Sequence, residues 1–122
     1  MPETFHQEYL QRLVVQLAGL HTETEWVELK VNNVAPQEIG EYISALSNAA
    51  TLSERPMAYL VWGVDDSTHD IVGTAFDYRR EKRGNQELES WLAQMVNPKI
   101  DLRFHETSFG DRRVGVLEVP AA

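Results

Sequence analysis

Glu23-Thr24-Glu25-Trp26-Val27-Glu28-Leu29-Lys30 is where the chain changes period. From Trp26 onward polar and apolar residues alternate, so that Trp26, Glu28 and Lys30 fall on one face and Val27, Leu29 and Val31 on the other. The stretch reads as a strand whose valine and leucine face meets the core, with Glu28 and Lys30 on a more accessible face beside Trp26. Strand interiors seldom take three carboxylates and a lysine within eight residues, which makes this segment the first candidate for chemistry. Glu23 has the opposite parity to Glu28 and, on an extended chain, would lie roughly 16 Å from it at about 3.3 Å per residue. The two can meet only if the backbone bends or bulges before Trp26.

On the N-terminal side, Phe5, Tyr9, Leu10, Leu13, Val14, Leu17 and Leu20 recur at helical spacing, with Thr4 placed as a cap and Gln7 to complete a capping box. On the C-terminal side, Ile39, Tyr42, Ile43, Leu46, Ala49 and Ala50 form a second helical stripe over 36–50, opened by Pro36 at the tolerated first turn. Met57–Val64 and Ile71–Thr74 read as two strands joined by an acidic turn at Asp65-Asp66. Asp77–Gly84 interrupts regular structure. Asn85 then caps a predicted helix carrying Leu88, Trp91, Leu92, Met95 and Val96. Ile100–Phe109 and Arg113–Val119 are strands on either side of Gly110-Asp111. This order predicts an α+β fold: a mixed, mostly antiparallel sheet with helices packed largely on one face.

The chain of 122 residues suits one domain spanning 1–122, and its 43% apolar share suits a folded one. It has no cysteine, so any metal must be held by carboxylates, histidines or carbonyls, which favours magnesium or manganese. The four histidines stand on separate elements without ligand spacing. Neither a nucleophile elbow nor a glycine-rich phosphate loop followed by lysine is present. No apolar run is long enough for a membrane span and no leader pattern precedes the first helix, which reads as a cytoplasmic protein without a membrane partner.

A net charge of −8 has the wrong sign for holding nucleic acid by the overall field, so a nucleic-acid site must be local. Arg79, Arg80, Lys82 and Arg83 are the densest basic cluster, and arginine forks beside a helix start can hold phosphate. A solvated loop offsetting an acidic surface explains the same residues about as well. Asp65 and Asp66, taken alone, are ordinary turn formers.

Four motifs in order resemble the Schlafen AlbA-type domain: Glu23 to Lys30, then Ile43-Ser44-Ala45-Leu46-Ser47-Asn48 on a helix, Tyr59-Leu60-Val61-Trp62-Gly63-Val64-Asp65-Asp66, and Ile71-Val72-Gly73. The likeness runs from about Glu23 to Val119, leaving the helix of residues 1–20 outside. It implies the N-terminal part of a longer bacterial protein, of the kind described as a DNA-binding transcriptional regulator. For nuclease members it implies cleavage of structured RNA by three carboxylates with a divalent metal, which here fall on Glu23, Glu28 and Asp66. The sequence departs from the usual pattern after Asn48, where Ala49-Ala50-Thr51-Leu52-Ser53-Glu54-Arg55-Pro56 replaces a loop that ordinarily opens with two glycines.

Three readings follow. The first is a nucleic-acid-binding module, for DNA or RNA, using Lys30 with Arg79, Arg80, Lys82 and Arg83. The second is a magnesium- or manganese-dependent ribonuclease with Glu23, Glu28 and Asp66 as metal ligands and catalytic groups. The third is a protein-interaction or dimerisation domain, for example a homodimer, whose acidic surface binds no nucleic acid.

Overall fold

The structure is a computed structural model that describes residues 3–20, 25–32, 35–77, 82–83, 86–87, 92 and 101–122. Among these, α1 spans Glu3–Ala18, β1 Val27–Lys30, α2 Pro36–Leu52, β2 Met57–Trp62, β3 Lys82–Arg83, β4 Gln86–Glu87, β5 Arg103–Phe109 and β6 Arg112–Pro120. The main sheet has the order β1-β2-β6-β5. β1 runs parallel to β2, and the other pairs are antiparallel. This is the mixed, mostly antiparallel sheet of an α+β fold, as the pattern of elements predicts.

The central strands are apolar on both sides, which suits a sheet covered on both faces. Ala58, Leu60 and Trp62 of β2 join Leu117 and Val119 of β6 beneath Ile39, Ile43, Leu46 and Ala50 of α2. On the opposite face, Val61 of β2, Val114 and Val116 of β6 and Leu29 of β1 meet Leu13, Val14 and Leu17 of α1. Packing on one face therefore describes α2 and the buried Leu92, whereas α1 adds a layer on the other. Of the helix predicted after Asn85, only Leu92 is described, and it is helical and fully buried.

Local details depart from expectation for identifiable reasons. β2 ends at Trp62, and Ile71–Thr74 is not a strand but touches Val64 through one antiparallel bridge at Ile71. Gly63 at φ 109° and Gly73 at φ 85° break the extended path. The Val72 and Gly73 amides both donate to the Gly63 carbonyl, at 2.8 and 3.0 Å. Lys82 and Arg83 are not in an irregular loop but pair with Glu87 and Gln86 in a short hairpin.

α1 begins at Glu3, so Thr4 lies inside the helix and not at its cap. Gln7 donates instead to the Glu106 carbonyl at 3.1 Å, and Gln11 to the Ser108 carbonyl at 2.7 Å. In the hairpin register both carbonyls face away from β6, so two glutamines one turn apart on α1 close the free edge of β5.

α2 ends in a motif that glycine usually completes. Glu54 adopts φ 56° while its amide donates to the Thr51 carbonyl at 3.1 Å and that of Arg55 to the Ala50 carbonyl at 2.8 Å. A left-handed non-glycine residue costs roughly 1–2 kcal/mol. Glu54→Gly is therefore expected to stabilise the fold by about 1 kcal/mol, less the added entropy of the unfolded chain. A thermal melt several degrees higher checks this; a lower one would refute the assignment of strain.

Candidate nucleic-acid interface

β1 is an edge strand whose pairing places Glu28 opposite Leu60 and Lys30 opposite Trp62, hence on the face that α2 covers. Both charged groups are accordingly half-covered. Lys30 Nζ lies 3.2 Å from Glu28 Oε1 and 4.7 Å from the centre of the Tyr42 ring on α2. A hydrogen bond with the Tyr42 side chain is the largest influence and, with help from Glu28, holds the Lys30 ammonium above its usual value against the opposing pull of burial. Lys30 is thus a fixed cation at neutral pH, seated against Tyr42 of α2, and one Glu28 oxygen is engaged by it.

Beyond β2 the chain turns on Gly63. Its amide donates to the Lys30 carbonyl at 2.7 Å, joining the ends of β1 and β2. The two aspartates that follow have different environments. Asp65 Oδ1 accepts the amides of Ser67 and Thr68 at 2.8 and 3.0 Å, bonds that hold its carboxyl below the usual range, the Thr68 amide contributing most. Asp66 is exposed at the tip of the same turn. His69, at φ 62°, closes the turn by placing Nδ1 2.9 Å from the Ala18 carbonyl at the end of α1.

Arginines missed by the sequence reading lie nearby. The segment 72–74 and the start of β6 line an open cleft of about 600 Å³ with Asp111, Arg112 and Arg113. Arg112 is exposed and donates to the Ile71 carbonyl at 3.1 Å. Arg113 sits 3.2 Å from Asp77 and 3.6 Å from Glu106. The visible signal is an arginine pair directly after a turn, of which Arg113 reads simply as the first residue of the last strand and Arg112 carries no assignment.

Glu23, Arg79 and Arg80 lie outside the described residues, and Lys82 and Arg83 are described only in their backbone. Oxygen donors such as Glu28 and Asp66 suit magnesium or manganese. Among the described residues, however, no group of three His, Asp or Glu is placed to hold a metal. A three-carboxylate centre thus depends on Glu23. No helix among the described residues is long and apolar enough to cross a membrane.

The Schlafen, AlbA_2 family model matches residues 23–122, most of the chain. The chain belongs to the Schlafen AlbA_2 family. No curated protein matches it. Among solved structures, the N-terminal domain of a RecG-related protein from Nitrosomonas europaea is similar at 18% identity, with a TM-score of 0.48, over 91% of this chain and 72% of that one. A protein from Corynebacterium diphtheriae is similar at 21% identity, with a TM-score of 0.43, over 96% of this chain and 23% of that one. Within the Schlafen AlbA_2 match lie β1, α2, β2 and the β5–β6 hairpin, whereas α1 precedes it.

Proposed function

We propose that this Schlafen AlbA_2 domain binds nucleic acid through a local basic surface, as the N-terminal part of a bacterial transcriptional regulator. One observation carries the reading: the ion pair of Asp77 with Arg113 at 3.2 Å. It anchors the chain two residues before the basic segment Arg79–Arg83, beside the cleft that Arg112 and Arg113 line. Arg112 and Arg113 stand at this end of the sheet, Lys30 is tied to the same end through the Gly63 amide, and the four cations of the basic segment follow Asp77 closely in sequence. Such clustering favours phosphate locally where the net charge of −8 opposes it globally.

The test is a binding titration of the purified chain against duplex DNA, hairpin RNA and unstructured single strands at several salt concentrations. The expected result is affinity that falls linearly with the logarithm of salt. Absence of binding at low salt overturns the proposal and favours a protein-interaction role.

A second reading, metal-dependent cleavage of RNA, is favoured by the division of labour between the two aspartates. Asp65 is consumed by the turn and Asp66 is left exposed to take a cation. Asp66→Asn and Glu28→Gln are expected to abolish manganese-dependent cleavage of hairpin RNA while leaving the melting temperature unchanged. Under this reading neither variant cleaves like the parent; equal cleavage, or none by the parent, ends it.

A further inference from the structure

At the other end of β2, away from Arg112 and Arg113, three side chains outside the proposed basic surface come together. The Arg55 guanidinium lies 3.7 Å from the centre of the Trp26 ring. Trp26 meets Tyr59 edge-on with ring centres 6.4 Å apart. Burial, then Glu118, raises the Tyr59 phenol above its usual value. Tyr59 therefore stays neutral, and its ring remains a packing surface under the others.

The arrangement is held by backbone. Arg55 follows the left-handed Glu54 in the closing turn of α2, and its amide is bonded to Ala50. Pro56 follows with its carbonyl bonded to the Ala121 amide at 3.1 Å. Among the described residues Arg55 makes no ion pair, although the surface is rich in carboxylates. An arginine stacked on tryptophan presents one planar face outward and keeps its N–H edge for an anion.

We propose that Trp26 and Arg55 form a stacking platform for single-stranded nucleic acid, a base lying on the guanidinium plane and a phosphate meeting the Arg55 N–H edge. The ligand class follows from the chemistry. A flat π-face and a cation with no ion pair among the described residues suit a nucleotide, and the base must be unpaired because stacking faces inside a duplex are already occupied. The inference rests on the nucleic-acid reading above and deepens it. The six residues of β2 put about 20 Å between the platform and the basic end, a span that one strand of several nucleotides can cover.

The experiment compares an unstructured oligonucleotide of about twelve nucleotides with a duplex of the same length, by fluorescence anisotropy on the full chain. Arg55→Ala is expected to weaken single-strand binding roughly tenfold, the loss of about one stacked base, with duplex binding unchanged. Arg55→Lys should restore little, because it returns the charge without the plane. Arg55 is exposed, so an unaltered melting temperature serves as the folding control. Salt-sensitive binding with no response to these variants overturns the platform alone. Equal losses on duplex and single strand overturn it too, reducing Arg55 to a general charge. Absence of all binding overturns both readings.

Discussion

Gly63→Ala is expected to lower the free energy of unfolding by about 3 kcal/mol, from a strained backbone and an overfilled contact that each cost roughly 1–3 kcal/mol. Gly63 sits at φ 109°, and a Cβ there would lie 3.0 Å from the Arg113 carbonyl and 3.1 Å from Val114 Cγ2. The nearer atom is backbone of a central strand and cannot step aside like the end of a flexible side chain. Gly63 also bonds to β1 through Lys30 and to the 72–73 segment through its carbonyl. A shift would therefore be felt by Lys30, the Asp65-Asp66 turn and the Arg112–Arg113 cleft together. Gly110→Ala is the matched control. It has a left-handed φ of 65° but no atom within 4 Å of the added Cβ, so it should cost only about 1 kcal/mol. Urea denaturation with an unchanged m-value measures both. Equal losses for the two variants would show that the close approach at Gly63 contributes nothing.

Changing Arg79, Arg80, Lys82 and Arg83 together to alanine is expected to weaken nucleic-acid binding by two to three orders of magnitude near 0.1 M salt. Each phosphate contact contributes a slope of about 0.9 on duplex DNA or 0.7 on a single strand. Four lost contacts should therefore flatten the plot of log affinity against log salt by about 3. The substitution also moves the net charge from −8 to −12, since four cations are lost, and a more acidic chain repels phosphate wherever it binds. Arg12→Ala with Arg103→Ala separates the two effects, because both arginines are exposed and lie away from the cleft. Local contact predicts a small loss in that control and an almost unchanged slope. If the quadruple variant keeps its parent's affinity, the basic segment is not in the site.

The family was readable because its motifs are local. The alternation through Val27–Lys30, the stripe Ile39, Ile43 and Leu46, and the apolar run into Gly63 each need only a few consecutive residues. Period alone separates strand from helix in such segments. The same information left the placement of Ile71–Thr74 wrong, because whether a short apolar run extends a sheet depends on what its amides reach. Here Val72 and Gly73 reach the Gly63 carbonyl. Lys82–Arg83 and Gln86–Glu87 were misread for a related reason: a hairpin of two residues per strand is too short to show a period.

Composition and order by themselves determined the class of the fold, the residues of the core, the exclusion of thiolate chemistry and the need for any nucleic-acid site to be local. Only the tertiary structure decided that α1 and α2 cover opposite faces, since an apolar stripe specifies that a helix is buried and not against which side of a sheet. It likewise separated Asp65 from Asp66, which are identical in type and adjacent in sequence, by sending two backbone amides to the first and leaving the second in solvent. Arg55 came to lie on Trp26, and Arg113 on Asp77, through approaches between residues 29 and 36 positions apart. Side-chain pairings at that separation are set by the packing of whole elements, and no local pattern encodes them.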